Sequence, residues 1–149
     1  MLDEAIEGTE QFAANDPRSA LSAFYRAFNA RDLRLMEQVW LPGDEPSMSN
    51  PLGGIARGWP EIRAVYERLF EGDARVQVQF HDFRISPVDE GFVAVGRERG
   101  TFERGNVRFD LAIRTSRLFR RTAEGWRQLH HHGSIDDPEL LGRYQQSVR

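Results

Sequence analysis

The chain has 149 residues, a length typical of one domain that can bury a core and a modest pocket. Its net charge of −3 gives no basic surface for nucleic acid, and the lack of cysteine excludes disulfides, thiolate metal sites and cysteine nucleophiles. No apolar run approaches the roughly 20 residues of a membrane helix, and the acidic start "MLDEAIEGTE" is not a signal peptide. We therefore expect a cytoplasmic protein without nucleic-acid or membrane partners.

The first half of the chain reads as helices. Asp16 is a helix cap and Pro17 suits a first turn, ahead of an apolar stripe at helical spacing formed by Leu21, Phe24, Tyr25 and Phe28. Asp32 caps a second, short helix. The stretch "LPGDEPSMSNPLGG" is rich in turn residues and predicts a loop with at most one short strand. A third helix follows in "GWPEIRAVYERLFEG".

The second half changes to a period of two, which is typical of strands. Four such segments follow each other: "RVQVQF", "GFVAVGRERGTF", "VRFDLAIRTSRLFRR" and "WRQLHHHGSI". Short turns such as "ERGN" and "TAEG" join the later strands into an antiparallel meander. Helices followed by such a meander predict an α+β fold, with the N-terminal helices packed on one face of a strongly curved antiparallel sheet.

Three stretches, "NPLGGIARGWPEIRAVYERLF", "GFVAVGRERGTF" and "TSRLFRRTAEGWRQLHHHGS", occur in the order and spacing of the nuclear-transport-factor-2-like superfamily. The chain most resembles SnoaL-like proteins; it also resembles kinase association domains and, distantly, ketosteroid isomerases. The resemblance covers about residues 17–135 of a single domain spanning 1–149. It implies a cone of bent sheet and helices around an internal apolar pocket, and a homodimer. Enzymes and non-enzymes share this fold, so the site must decide the function.

Three consecutive histidines lie in the last predicted strand. Because strand side chains alternate, His130 and His132 share one face, and His131 shares the other with Leu129. A metal would need a third ligand, and the two aspartates that follow lie beyond the strand end, so we expect neither a metal nor a cofactor. The resemblance places Leu129 and His131 in the cavity, where His131, with a reference pKa of about 6.5, is a candidate general base.

The resemblance to ketosteroid isomerases allows their catalytic positions to be compared with residues of this chain. Their carboxylate base corresponds to Asn50, which cannot accept a proton. Their two acidic donors correspond to Phe24, with Tyr25 one position away, and to Thr115. Steroid isomerisation by that mechanism is therefore not expected.

Two arginines are the remaining candidates. The resemblance to kinase association domains points Arg97 and Arg117 into the cavity, where two guanidinium groups would hold a carboxylate ligand. The alternative is that both are solvated or paired with Glu98 or Glu103. If Arg117 is an unpaired anion clamp, Arg117→Leu leaves the fold intact. Trp40, Trp59 and Tyr25 serve equally as pocket walls or as plain core.

We therefore expect a non-catalytic domain that binds an acidic or aromatic small molecule. The alternative is an enzyme that performs proton transfer, cyclisation or hydration with His131 as its base. We expect the homodimer to form through the outer sheet face, where His130, His132, Arg114 and Ser116 lie. The predicted ligand site comprises Tyr25, Trp40, Asn50, Trp59, Arg97, Ile113, Thr115, Arg117, Leu129 and His131.

Overall fold

The computed structural model describes residues 4–148, which form four α-helices and six β-strands. The helices are α1 (Pro17–Asn29), α2 (Leu33–Val39), α3 (Gly58–Glu71) and α4 (Pro138–Val148). The strands are β1 (Ser47–Ser49), β2 (Ala56–Arg57), β3 (Arg75–Val88), β4 (Gly91–Arg104), β5 (Val107–Thr122) and β6 (Gly125–Ser134).

The first two helices begin where their capping residues predict. Asp16 accepts a hydrogen bond from the backbone amide of Arg18, and Pro17 occupies the first turn of α1. Asp32 accepts from the amides of the first turn of α2. Each carboxylate thus satisfies amides that have no partner within the helix, which fixes where the helix begins.

The six strands form one open sheet in the order β2-β1-β6-β5-β4-β3. Strands β3 to β6 form the predicted antiparallel meander. Strand β1 pairs in parallel with β6, with Ser47 opposite His130 and Ser49 opposite His132. The α+β class is therefore confirmed, but the sheet is mixed rather than wholly antiparallel. Strand β1 has only three residues within a turn-rich loop, and its sequence is too short to indicate that it pairs with β6.

Helix α4 was not predicted. Asp137 accepts hydrogen bonds from the amides of Glu139 and Leu140, and Pro138 begins the helix. This is the same Asp-Pro start as that of α1. The helix packs through the buried Tyr144, whose ring meets Phe102 edge-on at 6.2 Å.

A β-bulge in β6 changes which side chains point inward. Leu118 pairs with His130 but Phe119 pairs with Gln128, so Leu129 is the extra residue. A bulge breaks the strict alternation of a strand. Gln128 and His131 are consequently both buried, although they are three residues apart.

The core lies between the inner face of the sheet and the helices that cover it. It is rich in stacked and edge-on aromatic pairs, which include Phe80 on Phe83 and Phe92 on Phe119. Among residues 4–148, no helix is long and apolar enough to cross a membrane. The cytoplasmic location stays a prediction.

Candidate functional site

A cavity of about 50 Å³ lies between the inner face of the sheet and helices α1, α3 and α4. Its walls are mainly apolar and include Phe24, Val76, Val78, Leu52 and Ile113. This volume holds a few water molecules and is well below the roughly 300–1,000 Å³ of a pocket for a drug-sized ligand. Its polar lining side chains are Asn50, Tyr66, Glu98, Arg117, His131 and Tyr144.

A buried ion pair forms the polar end of the cavity. Arg117 is 2% exposed, and its Nη2 lies 2.7 Å from Glu98 Oε2. Its Nε donates to the Tyr25 hydroxyl at 3.2 Å and its Nη1 to Gln128 Oε1 at 2.9 Å. The guanidinium also stacks 3.6 Å above the ring of Phe24. The positive charge is therefore neutralised within the protein.

The same contacts hold Glu98 in one orientation. Tyr25 donates its hydroxyl proton to Glu98 Oε2 at 2.7 Å, and burial raises the pKa of Tyr25 well above its ordinary value, so the phenol stays protonated. Oε2 thus accepts bonds from both Tyr25 and Arg117. Glu98 Oε1 accepts no hydrogen bond from residues 4–148 and remains available to whatever occupies the cavity.

His131 is a second acceptor in the cavity. It is 5% exposed, and its Nδ1 lies 3.3 Å from the carbonyl oxygen of Ser116, which can only accept, so we assign the proton to Nδ1. Burial, followed by the charge of Arg117, lowers the pKa of His131 well below its ordinary value. The ring is therefore neutral, with its Nε2 lone pair free. Within residues 4–148, no carboxylate contacts it.

The structure brings together part of the predicted site. Four of the predicted residues line the cavity: Asn50, Ile113, Arg117 and His131. Tyr25 does not line it but donates a hydrogen bond to Glu98, which does. The Asn50 side chain accepts a hydrogen bond from the amide of Leu52, which stabilises a turn in the cavity lining. The other buried candidates, Trp40, Trp59 and Thr115, are core residues outside the lining of the cavity.

Two predicted site residues lie elsewhere. Arg97 is exposed on the outer face of the sheet, because its neighbour Glu98 takes the inward position on β4. Leu129 is the bulged residue of β6, and Gln128 is buried in its place. Of the two alternatives for these arginines, Arg117 takes the one in which it pairs with Glu98, and Arg97 lies on the other face, so the two do not form a clamp in the cavity.

The sequence-based site missed Glu98, Gln128 and Tyr144. The sequence could have revealed Glu98, because strand alternation places it on the same inward face of β4 as Phe92, Ala94 and Phe102. Gln128 points inward only because of the bulge in β6, and Tyr144 reaches the cavity on α4, which was not predicted. No group of three or more potential ligands (His, Cys, Asp or Glu) is arranged to hold a metal ion within residues 4–148.

A family model described as the SnoaL-like domain matches residues 18–138, which confirms that resemblance. No curated protein matches the chain by sequence. A solved structure of a proposed dehydratase of the NTF2-like family, from Streptomyces avermitilis, is 22% identical, covers 78% of this chain and 91% of its own, and has a TM-score of 0.72. A ketosteroid isomerase-like protein from Erwinia carotovora atroseptica is 21% identical, with 82% and 95% covered and a TM-score of 0.65.

A third solved structure is a proposed calcium/calmodulin-dependent protein kinase type II association domain from Thiobacillus denitrificans. It is 27% identical, covers 85% of this chain and 100% of its own, and has a TM-score of 0.67. Four helices on an open, six-stranded mixed sheet are thus an NTF2-like α+β fold.

The buried ion pair predicts the effect of Arg117→Leu. The variant leaves the Glu98 charge buried without its partner, so we expect the free energy of unfolding to fall by about 3–5 kcal/mol. This replaces the expectation of an intact fold, which assumed an unpaired guanidinium. The double variant Glu98→Leu/Arg117→Leu should recover most of the loss. Urea unfolding at pH 7 measures both, and Arg108→Leu, which breaks an exposed pair with Glu103, is the control. Equal stability of Arg117→Leu and wild type would contradict this account.

The lowered pKa of His131 predicts a pH-dependent stability. Below the unfolded-state pKa of about 6.5, the unfolded chain takes up a proton that the folded chain refuses, so stability falls as pH falls. One such group contributes a slope of at most about 1.4 kcal/mol per pH unit. Denaturant unfolding between pH 7.5 and 5.5 should show this slope in wild type and a flatter profile in His131→Gln. Identical profiles for wild type and His131→Gln would argue against a buried neutral ring.

Proposed function

The chain belongs to the SnoaL-like domain family, and we propose that it binds a small, neutral molecule carrying a hydrogen-bond donor in the cavity beside Glu98. The observation that carries the proposal is the free carboxylate oxygen of Glu98 in a largely apolar cavity. The Nε2 of His131 supplies a second acceptor in the same cavity. Neither acceptor has a hydrogen-bond donor among residues 4–148, so a ligand that donates to them gains affinity from the new hydrogen bonds.

An acidic ligand fits this cavity poorly. Arg117 already has a carboxylate partner in Glu98, and Arg97 lies on the other face of the sheet. An added anion would meet the Glu98 carboxylate across a low-dielectric space, where like charges repel strongly. An aromatic ligand remains supported, because aromatic side chains such as Phe24 and Phe28 line the cavity.

The size of the cavity sets a condition on binding. At about 50 Å³ it admits only very compact molecules as it stands. A larger ligand must displace part of the lining, such as the loop residues Asn50, Pro51 and Leu52 or Tyr144 of α4. The Gln145 side chain donates to the carbonyl of Pro51 at 3.1 Å, which ties α4 to this loop.

Proton-transfer chemistry with His131 as the base has weaker support. A base whose pKa is lowered by burial and by Arg117 holds a proton weakly, and it lacks a carboxylate to stabilise its charged form. If this cavity performs proton transfer, Glu98 is the better-placed acceptor, because Arg117 and Tyr25 fix its orientation and leave one oxygen free.

The proposal predicts a preference among small rings of one shape. Pyrrole, which has an N–H donor, should raise the melting temperature more than furan, which has none, and 2-furoate should do least. At a hundred times its dissociation constant, a ligand adds about 2.7 kcal/mol of stability, so thermal shift detects the difference. Glu98→Gln should reduce the pyrrole response, while Glu103→Gln on the exposed face of β4 should not. A response to furan equal to that to pyrrole, or a dominant response to 2-furoate, would refute the proposal.

We also propose that the chain forms a homodimer through the outer sheet face. Val95 is 53% exposed at the centre of this face, beside the half-buried Val93 and Leu118. His132 is exposed there as expected, whereas His130 is held by the Ser47 hydroxyl at 2.8 Å. Exposed apolar side chains at the centre of an ordered sheet support a protein contact.

Light scattering at micromolar concentration should give the mass of a dimer. Val95→Arg should convert it to a monomer, because it places a further cation at the centre of the face. Val107→Arg alters a valine of similar exposure, 42%, at the start of β5 and should leave the dimer intact. A monomer mass for the wild type would reject this interface.

A further inference from the structure

A larger apolar hollow lies next to the cavity beside Glu98, where β3 begins and where α3 and α4 end. This vestibule has a volume of about 400 Å³, and its apolar lining consists of Leu52, Val65, Leu69, Ala74 and Val148. We propose that cavity and vestibule form one elongated site, whose ligand is a neutral molecule with a hydrogen-bond donor at its inner end and a linear apolar chain at its outer end. The inference rests on the function proposed above, since it extends the same ligand outward.

The cavity and the vestibule share part of their walls. Among residues 4–148, the side chains that line both spaces are Leu52, Val65 and Leu69. All three are apolar and half-buried, so the partition between the two spaces contains no charge or hydrogen bond that a passing chain would break. A shift of apolar side chains is therefore enough to join the two spaces.

Two elements lead from the cavity into the vestibule. On α4, Tyr144 lines the cavity, and Val148, four residues later on the same helix face, lines the vestibule. On β3, Val76 lines the cavity, and Ala74, two residues earlier on the same strand face, lines the vestibule. Both spacings correspond to roughly 6–7 Å, so the vestibule continues the cavity outward along a common direction.

The two volumes determine the shape of the ligand. The cavity of about 50 Å³ admits only a compact head group, whereas the vestibule of about 400 Å³ lies within the roughly 300–1,000 Å³ of ligand pockets. The part that crosses the partition must be slender. Leu52 is the wall that can shift without disturbing a helix, because it lies in a loop and is followed by Gly53 and Gly54, which have φ values of 106° and 73°.

The polar residues of the vestibule do not select an ionic ligand. Its charged side chains, Arg68, Asp73 and Arg104, carry both signs, and all three are exposed to solvent. Arg104 already donates to the carbonyl oxygen of Ser147 at 3.1 Å, which ties β4 to the end of α4. The half-buried apolar walls are what a ligand can cover, and covering them removes apolar surface from water. The outer part of the ligand is therefore an apolar chain whose end meets water at these charged residues.

Three isomeric probes of identical atomic composition separate the two parts of the site. 1-Hexanol has a donor and a linear chain, methyl pentyl ether has the chain without the donor, and 3,3-dimethyl-2-butanol has the donor without the chain. Dissociation constants come from amide NMR titration, and we expect 1-hexanol to bind about tenfold more tightly than either isomer.

The two possible failures are distinguishable. An ether that binds as tightly as 1-hexanol would overturn the donor end, and with it the proposed function, while weak binding of the compact alcohol would still support the vestibule. A compact alcohol that binds as tightly as 1-hexanol would overturn the elongated site and leave the proposed function intact.

Matched variants separate the vestibule from general attraction to apolar surface. From 1-propanol to 1-hexanol, each methylene that enters the vestibule should lower the dissociation constant about fourfold. Val148→Trp fills the vestibule from the half-buried last turn of α4, so it should abolish this gain and leave the affinity for 1-propanol unchanged. Val88→Trp makes the same substitution at a valine that is 46% exposed at the other end of β3, and it should keep the gain.

The position of the bound chain gives a check that needs no variant. We expect nuclear Overhauser effects from the terminal methyl group of 1-hexanol to Leu69 and Val148, and from its hydroxyl-bearing methylene to Ile113, which lies opposite Glu98 in the sheet. A terminal methyl group at Ile113, or a chain-length gain that persists in Val148→Trp, would overturn the proposal.

Discussion

The buried ion pair between Glu98 and Arg117 is the interaction on which the rest of the inner face depends. It joins β4 to β5, reaches α1 through Tyr25 and reaches β6 through Gln128. Two charges this deeply buried are tolerated only while they stay paired. A slip of one residue in the β4–β5 register would turn one of them to the outer face and leave the other unpaired, so the pair selects the register as well as the polar end of the cavity.

Strand alternation gives the same residue types opposite roles on the two faces of the sheet. Arg117 points inward and is neutralised, while Arg114, three residues earlier, points outward without an acid. Arg97 and Glu98 are neighbours in sequence but lie on opposite faces. The inner face consequently holds a neutralised ion pair, whereas Arg97 and Arg114 on the outer face form no ion pair with residues 4–148.

Local rules predicted the elements well and the site only in part. The caps at Asp16 and Asp32 and the period of two set the helix starts and the meander, because those signals act within a few residues. The bulge at Leu129 depends on how β6 pairs with β5, which no local pattern encodes. The parallel pairing of β1 with β6 has the same non-local origin. Helix α4 was missed although its Asp137-Pro138 start repeats that of α1, so that omission was avoidable.

The electrostatics of the cavity explain why a bound molecule should donate rather than accept. Arg117 is paired with Glu98, yet its charge still contributes to the lowered pKa of His131 after burial has made the larger contribution. The imidazole therefore stays neutral near pH 7, and with its proton held by the Ser116 carbonyl it presents only a lone pair. Glu98 likewise presents an oxygen that its partners leave free. Arg117 thus shapes the cavity indirectly: it pairs with one oxygen of Glu98 and adds to the effect of burial that keeps His131 neutral.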